Sequence, residues 1–196
     1  FKGLNMFTMP DMVYISKISK LGFPAFLQSG THSFISMILG RILAKWGPIP
    51  VAVQNIGSQI ESISWMTAEG FATAIAAFVG QNYGAKQYER LEEGYYKGLK
   101  IVGGIGLFSS IMFIFFGKSI FSLFTPEDMT AIEYGTRYLM IFGLSQFFMT
   151  VEIGTAGAFN GIGKTHIPAS TGMIGNISRI PLALVLSSTA LGMTGV

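Results

Sequence analysis

The sequence contains no cysteine in 196 residues, which excludes disulfides, thiol chemistry and cysteine-ligated metal sites. It is also poor in charge, because 12% of its residues are charged, against about 25% in an average soluble domain. The formal charge of +3 is too small and too dispersed for a nucleic-acid-binding surface. So few charged side chains cannot cover a globule with solvated groups, and a soluble fold is therefore disfavoured.

What the sequence has in quantity fits a membrane. Half of its residues are hydrophobic, its mean hydropathy is +0.52, and it contains 25 glycines and 11 methionines. Small residues let neighbouring helix backbones approach closely in a bilayer, where hydrophobic burial does not drive helix association. We therefore predict an all-α, polytopic transmembrane helix bundle.

Five apolar runs define the predicted spans, each near the roughly 20 residues that a helix needs to cross a bilayer. Turn signals such as Trp46-Gly47-Pro48-Ile49-Pro50 separate them. The charged segment from Gln81 to Lys100 is predicted as a loop. Thr125-Pro126-Glu127-Asp128 is predicted as the start of the fourth helix, with Thr125 as its cap. The bundle covers residues 21–196, with spans at about 21–43, 51–79, 101–116, 138–159 and 167–191.

Residues 1–20 are predicted to be an interfacial connector in which Pro10-Asp11 starts a short helix. The chain begins at Phe1 and shows no signal peptide, so we expect an internal segment of a longer polypeptide. If residues 1–20 are cytoplasmic, the inner segments hold eight Lys and Arg residues and the outer segments four. This asymmetry follows the positive-inside rule. The predicted location is a plasma membrane, the bacterial inner membrane, crossed several times.

Three carboxylates fall inside predicted spans, namely Glu61, Glu69 and Glu152. A charged residue at the centre of a bilayer costs about 2.5–3.5 kcal/mol on insertion scales, so three together approach roughly 10 kcal/mol. Such side chains face a bundle interior or a wet cavity, and a functional role is the default hypothesis for them. His32, on an otherwise apolar first span, adds a protonatable group.

The second span carries a polar stripe. At 100° per residue, its members fall within about 80° of one another around the helix: Gln54, Ser58, Glu61, Trp65 and Glu69. Carboxylates and an indole on one face suit an organic cation, through charge pairing and an aromatic surface. Removing a carboxylic acid from water disfavours its charged form, so that it can take up and release a proton near neutral pH. The stripe therefore predicts cation and proton binding.

Each candidate also has a plain structural interpretation. A carboxylate can pair across helices or reach the interface, and the tryptophan and histidine can be packing or hydrogen-bonding core residues. Arg179, followed by Ile180-Pro181, is interpreted as the anchor of a kinked helix. The two Gly-rich turns do not match a phosphate-binding loop, and neither follows a strand.

A series of short motifs runs through nearly the whole chain: Leu21-Gly22-Phe23-Pro24, Gly70-Phe71-Ala72-Thr73-Ala74, Val79-Gly80-Gln81-Asn82-Tyr83-Gly84-Ala85, Leu123-Phe124-Thr125, Tyr138-Leu139 and Gly161-Ile162-Gly163-Lys164-Thr165-His166-Ile167-Pro168. In this order the motifs resemble the multidrug and toxic compound extrusion (MATE) family of transporters. The family has twelve helices in two similar lobes that a cytoplasmic connector joins.

The resemblance implies a place and an activity for the chain. Arg179-Ile180-Pro181 is similar to the second lobe, so residues 1–20 become the connector and the five spans helices seven to eleven. The implied partners are the first lobe of the same polypeptide, which this sequence does not contain, and the lipid bilayer. The implied activity is secondary active efflux of small organic cations by alternating access, in exchange for protons or sodium. No cofactor, metal, nucleic acid or catalytic residue is implied.

The sequence departs from the family at one point. Sodium-coupled members with an acidic site in this lobe carry one acid on the first of these helices and one on the fourth. Here the first helix offers His32 at about the matching place, and the fourth offers Glu152 about one turn away. Proton coupling, with its centre in the missing lobe, therefore stays open beside sodium coupling.

Two other functions compete with efflux. A flippase for lipid-linked precursors would need a cationic cavity for pyrophosphate, whereas the candidates here are mostly acidic. A membrane scaffold that transports nothing would have no reason to bear the insertion cost of the acidic stripe. An enzyme is not predicted, because the sequence has no nucleophile–base pair and no metal-ligand spacing.

Overall fold

A computed structural model describes residues 12–187 of the chain. No strand occurs in this part of the chain, and the all-α prediction is confirmed. The described residues form five helices in the predicted order: α1 (Met12–Ala44), α2 (Pro48–Gly84), α3 (Tyr88–Ser122), α4 (Met129–Gly161) and α5 (His166–Ser187).

The turn between α1 and α2 lies where the proline-rich motif predicts it. Gly47 has a φ of +108°, a conformation that L side chains rarely adopt. Pro48 follows in the first turn of α2, where a missing amide N–H costs no hydrogen bond. A second glycine with positive φ, Gly163 at +76°, lies between α4 and α5.

The charged segment before the third span is helical, and its prediction as a loop is wrong. α2 continues to Gly84, a short turn follows, and α3 begins at Tyr88. Charged residues support a solvated helix end when opposite charges lie four positions apart. Glu93 and Lys97 form such a pair, with Nζ and Oε1 2.6 Å apart. Low hydropathy therefore marks where the apolar span ends, and the helix itself continues.

The start of α4 also differs from its prediction. Asp128, and not Thr125, is the residue that precedes the helix. Its Oδ1 accepts hydrogen bonds from the Thr130 and Ala131 amides, both at 3.0 Å. An aspartate at this position satisfies amides that have no partner within the helix. Pro126 consequently lies in the loop.

Helices α2, α3 and α4 pack against one another as a three-helix unit. Val53, Ile60, Phe113 and Leu139 belong to one buried cluster between them. Elsewhere α2 and α4 approach closely at small residues. Gly157 lies against the backbone of Ala72 and Gly161 against that of Ala76, so close that a β-carbon at either glycine would overlap it. Close backbone approach at glycine and alanine is typical of helices packed in membranes.

Helices α1 and α5 form a second unit. Ile35 and Leu39 of α1 are buried with Ala183 of α5. Two turns from this cluster, Gln28 of α1 occupies the space beside Gly172 of α5. The contacts that join this pair to α2, α3 and α4 are sparse.

Three of the five helices, α2, α3 and α4, are long and apolar enough to cross a membrane. The described parts of α1 and α5 do not reach the same hydropathy, so their crossing of the membrane stays a prediction. Residues 12–20 are helical but continue directly into α1 and form no separate short helix. Residues 1–11 of the predicted connector, and residues 188–191 of the predicted fifth span, lie outside the described residues.

Candidate functional site

Glu61 lies half-buried on α2, and two side chains from other helices approach its carboxyl group. The Tyr138 phenol of α4 lies near the carboxyl group. The Arg179 guanidinium of α5 interacts with it electrostatically. Two helices of the three-helix unit, α2 and α4, and one helix of the second unit, α5, thus each contribute a polar group to this region.

Gly57 makes the approach of Tyr138 possible. It lies one helical turn before Glu61, and a β-carbon at this position would overlap the Tyr138 ring. The ring therefore fills the space that a side chain at position 57 would need, next to the turn that carries Glu61. Tyr138 also stacks on Phe142, with ring centroids 4.5 Å apart, which holds the orientation of the phenol.

One oxygen of the Glu61 carboxyl group, Oε1, is buried without a hydrogen-bond partner in the part of the chain that the structure describes. A buried polar atom without a partner costs free energy, so this oxygen favours a bound proton, cation or water. The arrangement can hold a proton or a positively charged group at the Glu61 carboxyl group, close to the Tyr138 ring.

The other candidates on α2 follow the predicted stripe along one continuous helix. Gln54 is half-buried two turns before Glu61, whereas Glu69 is exposed two turns after it. Trp65 lies between the two glutamates with 43% of its surface exposed. The exposed side chains form a surface from Trp65 onward that is available to a ligand or to lipid.

The two candidates on other helices are not joined to this site. His32 is exposed on α1 and Glu152 is exposed on α4. Neither forms an ion pair within residues 12–187. The role of all six predicted residues in transport stays a prediction.

Sequence reasoning missed two residues that the structure places at Glu61. The sequence predicts Arg179 as the anchor of a kinked helix, and Tyr138 belongs only to a motif of the family resemblance. No spacing rule connects positions 61, 138 and 179, because their proximity depends on how three separate helices pack. A glycine one turn before a membrane-embedded acid is the one sequence signal that fits the approach of a bulky ring.

Further buried polar side chains lie within the three-helix unit. Gln146 and Thr150 of α4 are fully buried, and Ser64 of α2 is 5% exposed. The Thr150 hydroxyl donates to the Phe147 carbonyl at 3.0 Å. The side-chain atoms of Gln146 and the Ser64 hydroxyl have no hydrogen-bond partner among the described residues.

A cavity of about 440 Å³ lies away from both places, at the end of the unit where α3 leads into α4. Its lining includes Lys118, Glu133 and Arg137 but none of the six predicted site residues. Arg137 is paired with Glu133 at 2.9 Å, and both side chains are more than half exposed. This cavity is therefore not the predicted cation site.

Long apolar helices that enclose a carboxyl group, an amide and hydroxyl groups define a polytopic membrane protein. Its family follows from comparison with known proteins. The family model MatE matches residues 24–185, and the chain belongs to this family of transporters. The resemblance drawn from the short motifs is thereby confirmed.

Two curated relatives illustrate the range of names within the family. "Probable multidrug resistance protein NorM" of Thermotoga maritima is 29% identical over 175 residues, which cover 87% of this chain and 37% of that protein. A protein of Shewanella oneidensis named "FAD transporter" is 27% identical over 180 residues, covering 90% of this chain and 38% of that protein. The chain thus spans well under half the length of these relatives.

The fold matches a solved transporter. The similar structure is an outward-facing multidrug resistance MATE family transporter of the MOP superfamily, with a TM-score of 0.87 and 21% identity. The match covers 98% of this chain and 44% of that one. At this identity the likeness establishes the arrangement of helices alone.

Proposed function

We propose that the polypeptide containing this chain exports small organic cations across the bacterial inner membrane in exchange for an inward proton or sodium ion. One observation carries the proposal: the half-buried carboxyl group of Glu61, with a buried oxygen that meets no partner among the described residues. Membership of the MatE family and the multidrug resistance name of the Thermotoga maritima relative support it.

The exchange rests on competition for one carboxyl group. Glu61 can hold the coupling ion or the exported cation, and binding of either releases the other. Trp65, exposed on the same face of α2, offers an aromatic surface on which a cation gains about 0.5–2 kcal/mol. Arg179 interacts with Glu61 from α5, so an arriving cation also competes with a charge that belongs to the protein.

Alternating access supplies the direction of transport. In this proposal the lobe described here rocks against the other lobe of the polypeptide, so that the site opens to one side of the membrane at a time. One inward charge gains about 2.3 kcal/mol per 100 mV of membrane potential. The membrane potential drives the exchange only when more positive charge enters than leaves, because a 1:1 exchange with a singly charged cation moves no net charge and depends on the concentration gradient of the coupling ion.

Charge at the site separates this proposal from its alternatives. A carrier of an anionic dinucleotide, as the name of the Shewanella oneidensis relative indicates for that protein, needs cationic groups, and so does a flippase for a lipid pyrophosphate. Here the one basic side chain that the described residues bring near the site, Arg179, interacts electrostatically with the Glu61 carboxyl group, so it is not free to bind an anion alone. The site therefore favours a cationic substrate over both anionic ones.

Efflux of a fluorescent monocationic dye tests the role of Glu61. Cells that lack their own exporters would express the complete polypeptide, either unchanged or with Glu61→Gln. We expect the substitution to lower the efflux rate at least about tenfold, which corresponds to roughly 1.4 kcal/mol of lost interaction. Protein abundance in the membrane should not change, because glutamine has nearly the shape of glutamate.

Glu93→Gln is the matched control. Glu93 is an exposed carboxylate that pairs with Lys97 at the charged end of α3, so its removal should leave efflux unchanged. If the Glu61→Gln variant exports the dye as fast as the unchanged protein and Glu93→Gln, the role of Glu61 is refuted. Competition of the dye with a lipid pyrophosphate or FAD, but not with other cations, would replace the cationic substrate class by an anionic one.

A further inference from the structure

Three buried side-chain atoms in the core of the three-helix unit have no hydrogen-bond partner among the described residues. They are the Gln146 Oε1 and Nε2 atoms on α4 and the Ser64 hydroxyl on α2. Gln146 is fully buried and Ser64 is 5% exposed. Each buried polar group without a partner costs about 1–3 kcal/mol, so native proteins rarely leave several of them together unpaired.

The register of α2 and α4 places the two residues at the same level. Gly57 of α2 contacts Tyr138 of α4, and further along Ala72 contacts Gly157. The two helices therefore run parallel. Counting along both helices between these two contacts puts Ser64 beside the turn that contains Gln146.

The third helix brings another hydroxyl to this level. Gly143, one turn before Gln146, lies against the Ser110 carbonyl of α3, and Gly106 of α3 lies against the Gln146 carbonyl. Ser110 is itself buried, at 8% exposure. Ser64, Ser110 and Gln146 thus form a polar layer, one residue from each helix, inside an otherwise apolar core.

The chemistry of the amide decides what binds in this layer. Gln146 presents a donor, Nε2, as well as an acceptor, Oε1, and a serine hydroxyl can act as either. A metal cation would bind the oxygens but leave the amide N–H groups unpaired. A water molecule donates and accepts, and buried waters typically make about three hydrogen bonds to such groups.

We propose that ordered water is bound between Gln146 and Ser64 in the centre of the α2–α3–α4 unit, where it holds the three helices together. Its partners are the Gln146 amide, the Ser64 hydroxyl and the neighbouring Ser110. A bridging water of this kind is enthalpically nearly as favourable as a direct hydrogen bond. It replaces contacts that the apolar core cannot supply.

The water site extends toward the proposed transport site. Glu61 lies one turn before Ser64 on the same face of α2, and its buried Oε1 is the remaining atom of this kind on the helix. Water at Ser64 therefore offers a proton a hydrated approach to Glu61 from inside the lobe. This consequence rests on the proposed function, whereas the water site itself does not.

A double-mutant cycle on the complete purified polypeptide tests the water site. Gln146→Leu, Ser64→Ala and their combination would be compared by thermal unfolding in detergent. We expect each single substitution to lower the unfolding midpoint by a few degrees, because each removes one partner of the bridge. The double variant should unfold close to the worse of the two single variants, because both changes break the same bridge.

Thr150→Val is the matched control. Thr150 is as deeply buried as Gln146, but its hydroxyl donates within α4. Its effect should therefore add to that of Ser64→Ala. A rise in the unfolding midpoint with Gln146→Leu would overturn the proposal, because it would mean that the amide is dry and unpaired. Additive effects of Gln146→Leu and Ser64→Ala would overturn it as well.

Two further measurements identify the ligand independently of transport. A structure at a resolution that resolves ordered water should show density within hydrogen-bond distance of the Gln146 amide and the Ser64 hydroxyl. The unfolding midpoint should be measured in sodium chloride and in choline chloride. If water fills the site, any difference between the two salts should be the same in the unchanged protein and in the Gln146→Leu variant. A sodium-specific rise lost in that variant would establish a cation in place of water. Failure of the Glu61→Gln efflux test would leave these results standing.

Discussion

At the scale of single residues, the site depends on the absence of a side chain. Gly57 leaves space on α2 that the Tyr138 ring of α4 fills. The phenol then lies beside the carboxyl group of Glu61, one turn further along α2. A residue with no functional atoms of its own thus determines where a functional atom of another helix lies.

Gly57→Ala tests this dependence. The added β-carbon would overlap the Tyr138 ring, and overpacking of a filled position typically costs about 1–3 kcal/mol. We expect a lower unfolding midpoint of the purified polypeptide and slower efflux, because the ring must move away from Glu61.

Gly70→Ala provides the comparison on the same helix. A β-carbon at Gly70 has no neighbouring heavy atom within 4 Å, and alanine favours a helix interior by about 0.5–1 kcal/mol. Its midpoint should therefore stay or rise. If Gly57→Ala behaves like Gly70→Ala in both measurements, Tyr138 does not need the space at position 57.

The sequence indicated the acid but not its surroundings. Glu61 stands out because a carboxylate in an apolar run is costly, and this signal is local. The proximity of Tyr138 and Arg179 depends on packing between α2, α4 and α5 and leaves no local signal. Gln146 is a polar residue within the fourth apolar run, but its complete burial depends on how the helices pack and leaves no local signal.

At the scale of elements, α4 shows how a helix end is fixed. Asp128 accepts hydrogen bonds from two amides of the first turn. The carboxylate also lies at the end of the helix where the backbone dipoles favour negative charge. Tyr138 and Gln146 both belong to α4. The stability of the first turn of α4 therefore affects both polar sites.

Removal of this cap has a predictable cost. Asp128→Ala should destabilise the protein by about 1 kcal/mol, the usual loss for an aspartate cap, whereas Asp128→Asn should retain most of the stability. Hydrogen exchange at the Thr130 and Ala131 amides reports the effect locally. Equal exchange in the alanine variant and the unchanged protein would contradict the role of Asp128.

The helix ends were the least predictable part of the fold. The apolar runs located all five helices, because each helix consists mostly of one long apolar stretch between turn signals. The runs fell short where charged or polar residues continue a helix beyond the apolar region, as at the start of α3. Local pairs such as Glu93 and Lys97 sustain the helix there, and hydropathy does not detect them.

At the scale of the whole molecule, the chain divides into the α2–α3–α4 unit and the α1–α5 pair. Glu61 and Arg179 belong to different units and interact across the boundary between them. The chain covers 37% of its Thermotoga maritima relative, so the proposed transport by the complete polypeptide would also involve the part that corresponds to the rest of that relative. The proposed substrate path lies where the exposed face of α2 meets that remainder.

Dye transport in vesicles that contain the complete polypeptide, with proton and sodium gradients imposed separately, decides whether Glu61 couples the proposed exchange. In the unchanged protein and in Glu93→Gln, a proton or sodium gradient should drive transport of the cationic dye in the direction opposite to the ion. Glu61→Gln should lose this coupled movement while remaining folded. Coupled transport by Glu61→Gln at the rate of the unchanged protein would contradict the account.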